Sequence, residues 1–241
     1  MSELSSETVA SIVSKNIKTA HIFKQHGIDF CCGGGISVAQ ACQKQGVELK
    51  TVIAELEGVD QQVRVEDDYD SWSLEQLVDH LLKTHHPYVS SAIPLVLQYA
   101  ARVEQVHGQN HPEIIEANQL LGQIADELGD HMHKEEQVLF PFINTLVEAH
   151  QDPQGVPPEH CGSLDGPISV MQIEHDNVGD AFKRIAQLTG NYTPPPGACN
   201  TFRALYAKLE EFEQDLHLHI HIENNILFPK ALELEAALLA S

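Results

Sequence analysis

His131-Met-His-Lys-Glu135 and His219-Ile-His-Ile-Glu223 each place an imidazole four residues ahead of a carboxylate. Four residues is about one turn of an α-helix, so each pair offers one nitrogen and one oxygen donor to the same point beside its helix. Both stretches run on as H-x-H-x-E-x-x-x-L-F-P, ending at Phe140-Pro141 and Phe228-Pro229. The middle histidines, His133 and His221, sit two residues on, across the helix from the pair. An upstream histidine completes each copy: His86 lies 45 residues before His131, and His175 lies 44 before His219. The duplicated unit, His and then His-x-x-x-Glu, gives four imidazoles and two carboxylates. That is a donor set for a pair of metal ions.

Six protein donors are too many for one structural zinc, which closes at four. Neither H-E-x-x-H nor C-x-x-C occurs, so the usual zinc templates fail. Imidazole suits iron, copper, zinc and nickel, while a carboxylate is a harder donor that can bridge two ions. Two six-coordinate iron ions sharing this set keep positions for an oxo or hydroxo bridge and for an outside ligand. Glu135 and Glu223, at matching places in the two copies, are the expected bridging groups. Ferritin-like oxygen activators use more carboxylates and the reverse order, Glu-x-x-His. The His-rich set here is expected to bind small molecules, exchange electrons or release iron rather than to hydroxylate.

The elements that must position these residues are helical. Residues 1–58 read as short helices separated by glycines, with Ser37 as an N-cap and a tight turn at Asp29-Phe-Cys31-Cys32-Gly-Gly-Gly35. Residues 59–72 are acidic and aperiodic and read as a linker. From 73 to 241 the pattern changes to four long amphipathic helices. The first opens on the capping box Ser73-Leu-Glu-Gln76, and Pro87 and Pro94 should bend or locally break it. The second runs from Pro112 to about residue 149, the third from Pro167 to Leu188 and the fourth from about Asn200 to Leu239. A Gly/Pro-rich loop at 151–166 and Thr193-Pro-Pro-Pro-Gly197 connect them. The fold class is all-α: a small N-terminal helical module, then an up-down-up-down four-helix bundle with one His or one His–Glu pair on each helix.

Composition narrows the function. In 241 residues, 14 Lys+Arg against 35 Asp+Glu give a formal net charge of −21, which repels nucleic acid and anionic lipid. No apolar run approaches the roughly 20 residues that span a bilayer. The opening MSELSSETVASIV has no basic region followed by an apolar one, so a cytoplasmic chain is expected. Five cysteines, an odd number with two adjacent, make a poor disulfide framework and suit reduced thiols.

With Asp-Phe-Cys-Cys-Gly-Gly near the N-terminus and K-E-E-Q-V-L-F-P, P-I-S-V-M, E-H-D, T-P-P-P and E-N-N-I-L-F-P beyond it, the chain resembles the Repair of Iron Centers family (the ScdA/YtfE type), whose bundle is hemerythrin-like. The likeness runs from about residue 5 to about 232. It implies a cytoplasmic di-iron protein, often a homodimer, that helps to restore iron–sulfur clusters damaged by nitric oxide or oxidants. By motif position the family's iron ligands fall on His86, His131, Glu135, His175, His219 and Glu223. His107, in V-E-Q-V-H, also matches a family histidine. It has no counterpart in the repeat, so a seventh ligand and a place outside the centre both stay open. Pro87 directly after His86 departs from an ordinary helix former and leaves His85 as an alternative first ligand.

The remaining histidines His80, His85, His133, His150, His160 and His221 read as surface or satisfied core positions, and Met171 and the two Leu-Phe-Pro segments as packing. Cys31 and Cys32 are either turn chemistry alone or a thiol site for iron transfer or redox, and the resemblance favours the second. Cys42, Cys161 and Cys199 carry no assignment. Three functions fit these residues. The first is repair of damaged iron–sulfur proteins with iron from the centre. The second is an enzyme, a nitric oxide reductase forming N2O. The third is an O2 or NO sensor. Whether the chain is an enzyme stays open at this stage.

Overall fold

At Ser73 the capping box forms as its pattern predicts: the Gln76 N–H donates to Ser73 Oγ (3.3 Å) and the Ser73 N–H to Gln76 Oε1 (2.8 Å). The computed structural model describes residues 3–59, 68–151 and 163–240. Most of the expected linker at 59–72 and of the loop at 151–166, with His160 and Cys161, lies outside the described residues. Among the described residues there is no strand, and the chain is an N-terminal helical module followed by a helical bundle. No helix there is long and apolar enough to cross a membrane.

The module comprises α1 (Val9–Lys15), α2 (Ala20–Gln25), α3 (Val38–Gln45) and α4 (Leu49–Glu57). Thr8 caps α1 through its side chain, and Ser37 and Gln40 cap each other at the start of α3. Gly27 takes φ +66° just past α2, the left-handed conformation that stops a helix cheaply only at glycine. Beyond the module lie α5 (Leu74–His80), α6 (His86–His107), α7 (Glu113–Lys134), α8 (Phe140–Gln151), α9 (Asp165–Leu188), α10 (Asn200–Ile222) and α11 (Phe228–Ala240).

Three of these junctions are π-helical: π1 (Leu81–His85) joins α5 to α6, π2 (Glu135–Leu139) joins α7 to α8, and π3 (Glu223–Leu227) joins α10 to α11. The prolines explain them. Each π segment ends on an i→i−5 bond, from the N–H of His86 to Leu81 O, of Phe140 to Glu135 O and of Phe228 to Glu223 O. The next residue in every case is proline: Pro87, Pro141 or Pro229. Proline lacks an N–H and its ring presses on the carbonyl four residues back. A widened turn just upstream absorbs both, so the helices continue instead of breaking. Pro94 has no such turn and lies inside α6.

By contacts the chain forms two compact units, one of Met1–Val78, Ile143–Leu164 and Leu218–Ser241, the other of Asp79–Phe142 and Asp165–His217. The second is itself a four-helix bundle. Against α6, α7 runs antiparallel, His86 meeting Glu136 and Glu104 meeting Asn118. Next, α9 returns along α7, with Glu174 at His131 and Arg184 at Glu116. Finally α10 closes the ring on α6, through His85–Asp215, Tyr88–Glu211 and His107–Cys199. Phe182 and Phe212 meet edge to face inside it. This is the up-down-up-down order expected from the sequence.

The first unit holds the N-terminal module together with the final segment of the chain. Its apolar interior includes Val9, Val13, Phe23, Val38 and Val52, all fully buried. Lys230 donates to the carbonyls of Asp70 (2.6 Å) and Trp72 (2.9 Å), and the Leu164 N–H donates to Glu235 (2.9 Å).

Candidate metal centre

Glu135 is the first residue of π2 and is wholly shielded from solvent. Its two oxygens have no hydrogen-bond partner among the described residues. Each faces a different imidazole: Oε2 lies 3.4 Å from His86 Nε2, and Oε1 lies 3.4 Å from His131 Nε2. His175 Nε2 lies 3.0 Å from His131 Nε2. A helix from each of three chain segments thus brings its predicted donor to one buried place in the second unit.

The outer nitrogens decide which atoms face inward. His86 Nδ1 is 2.8 Å from Glu136 Oε1, and His131 Nδ1 is 2.9 Å from Glu174 Oε2. An acceptor there keeps the proton on Nδ1 and turns the Nε2 lone pair toward Glu135. Lys134 also binds Glu174. Burial works against the charge on Glu174, but the bonds from Lys134 and His131 outweigh it and hold that carboxyl below its usual range.

Lone pairs facing a buried carboxylate repel unless a cation lies among them, because a buried charge without a partner is costly. The separations suit one. Two neighbouring donors on a six-coordinate ion, each bonded at about 2.1 Å, sit about 3.0 Å apart. The His131–His175 separation has that value, and the 3.4 Å separations at Glu135 fit a slightly wider angle. In the first unit the local pair His219 and Glu223 repeats it, with Nε2 and Oε1 3.0 Å apart and both residues buried. Glu223 opens π3 as Glu135 opens π2, so the internal repeat extends to the backbone.

Of the two candidate first ligands, it is His86 that faces Glu135; His85 is also buried but turns its Nδ1 to Asp215 Oδ1 (3.1 Å). His107 is not brought to this place. It ends α6, 21 residues after His86 (107 − 86), which is about 32 Å along a helix. There its Nε2 is 3.3 Å from Cys199 Sγ and its ring packs on Phe202. The sequence reading passed over Glu136 and Glu174. The available signal was adjacency, since each directly neighbours a predicted ligand in Glu-Glu and Glu-His pairs.

Cys31 and Cys32 lie in the first unit as free thiols with sulfurs 3.9 Å apart. His221, fully buried in α10, supports their turn: its Nδ1 donates to the Phe30 carbonyl (3.3 Å) and its Nε2 accepts from Ser14 Oγ (3.2 Å). Burial pushes the His221 pKa down to about 4. Unfolded, that histidine takes a proton below about pH 6.5, while the folded chain keeps it neutral down to about pH 4. Its contribution is therefore complete above about pH 6.5, falls between there and about pH 4, and totals on the order of 3 kcal/mol. Urea unfolding against pH is expected to show a shallower acid slope in His221→Gln than in the unsubstituted chain; equal slopes would contradict this.

Residues 77–231 match the hemerythrin HHE cation binding domain, and residues 5–60 match ScdA_N, a domain of unknown function. The chain is 38% identical over 213 residues to the iron-sulfur cluster repair protein YtfE of Yersinia pseudotuberculosis serotype IB (strain PB1/+), covering 88% of this chain and 90% of the relative. It is likewise 38% identical over 217 residues to the protein of that name from Yersinia pestis (strain Pestoides F), covering 89% and 91%.

Proposed function

The chain belongs to the hemerythrin-like family of YtfE-type iron–sulfur cluster repair proteins, and we propose that it restores damaged iron–sulfur clusters with iron held by His86, His131, Glu135, His175, His219 and Glu223. The observation that carries this reading is Glu135, a buried carboxylate whose two oxygens face imidazoles on two different helices. A carboxylate so placed suits two ions rather than one. The repeat argues that His219 and Glu223 serve the second half of the same centre, with Glu223 as the other bridge. When bound, two non-haem irons with an oxo or hydroxo bridge would supply releasable iron and open positions for NO or O2.

The chain's own residues set how tightly such iron is held. Glu136 and Glu174 keep the protons on Nδ1 of His86 and His131, leaving Nε2 unprotonated toward the interior. Glu136→Gln and Glu174→Gln are each expected to weaken iron binding about 10- to 100-fold with the fold retained, as measured by competition with a chelator. Unchanged affinity in both would remove these carboxylates from the account.

The remaining parts of the reading follow the family. The chain divides as 1–58, a linker at 59–72 and the bundle at 73–241. It acts in the cytoplasm on damaged iron–sulfur proteins and pairs as a homodimer. Cys31 and Cys32 form a thiol site that serves iron transfer. Nitric oxide reduction to N2O and O2 or NO sensing draw no separate support from any residue described above. The direct test mixes the iron-loaded chain with a nitric-oxide-damaged [4Fe–4S] enzyme and follows the enzyme's activity. Recovery with the iron-loaded chain and little with the iron-free chain is expected; equal recovery with both would overturn the proposal.

A further inference from the structure

We propose that Asp29, Cys31 and Cys32 form a metal site of their own, for a single thiophilic divalent cation held by two thiolates and one carboxylate oxygen. The three side chains each bring a ligand atom within 4.8 Å of the others. The separations within the cluster carry the argument further. Two thiolates on one tetrahedral ion, with bonds of about 2.3 Å, sit about 3.8 Å apart. Cys31 Sγ and Cys32 Sγ are 3.9 Å apart, whereas a disulfide would bring them to about 2.0 Å. A carboxylate oxygen at about 2.0 Å on the same ion would lie about 3.5 Å from a sulfur. Asp29 Oδ1 lies 3.4 Å from Cys31 Sγ. Both bites match one four-coordinate ion that keeps a fourth position for solvent or an incoming ligand.

The turn is built to hold that arrangement. Asp29 Oδ1 accepts from the N–H groups of Cys31 (3.1 Å) and Cys32 (3.0 Å), which fixes the carboxylate in the turn beside Cys31 Sγ. Asn225 Nδ2 donates to the Cys31 carbonyl (2.9 Å), and His221 holds the carbonyl of Phe30. The amide of Asn224 points at Cys32 Sγ from 4.0 Å, a donor suited to a thiolate. Cys31 is buried and Cys32 half-buried, so the pair opens to solvent on one side.

A divalent cation between the two sulfurs and the Asp29 carboxylate would displace the thiol protons and offset the carboxylate's charge. Two sulfurs with one oxygen favour borderline ions such as Fe2+, Zn2+ and Co2+ over the hard Mg2+ and Ca2+.

Cobalt(II) is the probe, added to the reduced, iron-loaded full-length chain. The expected result is one further cobalt per chain with a sulfur-to-cobalt charge-transfer band and the intense visible bands of a tetrahedral ion. Cys31→Ser and Cys32→Ser should each remove about half of the sulfur band or more, while Cys42→Ser and Cys199→Ser leave it intact. Asp29→Asn keeps the oxygen that accepts from the turn, and so should keep the fold and the band while weakening cobalt binding by about tenfold or more. Cys32 is the more exposed thiol, so its variant remains readable if Cys31→Ser fails to fold. Cobalt bound without a sulfur band, or a band untouched by both cysteine substitutions, would overturn the proposal. This site does not depend on the His/Glu centre: a chain without iron would count against the earlier reading, yet imidazole and carboxylate give cobalt no sulfur band, so the titration would still decide.

Discussion

Glu135→Leu is expected to abolish iron binding and repair together while making the metal-free chain more stable. The carboxylate is fully buried, has no hydrogen-bond donor among the described residues and faces two imidazole nitrogens 3.4 Å away. With a cation present this is a strong set of donors. Without one it is a buried carboxyl group with no hydrogen-bond partner among the described residues, and leaving such a group unsatisfied costs about 1–3 kcal/mol that an apolar side chain avoids. Thermal unfolding of the metal-free proteins should therefore place Glu135→Leu above the unsubstituted chain. Iron addition should raise only the latter, because a ligand that binds the folded state alone stabilises it. A purely structural Glu135 would give the opposite order in the metal-free pair.

Gly34→Ala is expected to destabilise the N-terminal module by about 1–3 kcal/mol, the usual cost of forcing atoms into filled space. A Cβ at Gly34 would run into the Phe30 carbonyl oxygen and crowd the side chain of Ala10. The clash is with backbone, so no side chain can swing away to relieve it. The Gly34 carbonyl also accepts from the Ala10 N–H (2.8 Å), and that bond ties the cysteine turn to the start of α1. Gly35, next in the chain, has open space at the same position, so Gly35→Ala should stay within about 0.5 kcal/mol of the original. Thermal melts of the two variants measure the contrast. If they melted alike, the close approach at Gly34 would not be what fixes the turn.

These residues also mark how far the sequence could be read. Helix starts were legible because their signals are local: Ser37 with Gln40 and Ser73 with Gln76 cap as their spacing requires. The metal ligands could be proposed because duplication set four of the fifteen histidines apart from the other eleven. The glycine turn was legible as a turn, but for a different reason. Gly33, Gly34 and Gly35 are absent from the residues with positive φ, and the constraint is the contact at Gly34. The nearer contact, with the Phe30 carbonyl four residues back, depends on backbone angles that the residue types leave open, and the one with Ala10 joins residues distant in the chain. The π turns were only partly legible: Pro87 announced a disturbance, while its resolution one turn upstream depends on packing that keeps the helix going. From the sequence, Pro229 reads as part of an uninterrupted fourth helix. His221 reads as a satisfied core histidine from its place opposite the ligands, and it is one. Its bond to Phe30 spans 191 residues and could not be read from spacing.

The most direct measurement is the iron content of the anaerobically purified chain, together with its optical spectrum after oxidation. About two irons per chain are expected, with oxo-bridged di-ferric absorption that is lost in Glu135→Leu and Glu223→Leu and kept in His107→Ala. A single zinc, no metal, or iron that survives both glutamate substitutions would contradict the account.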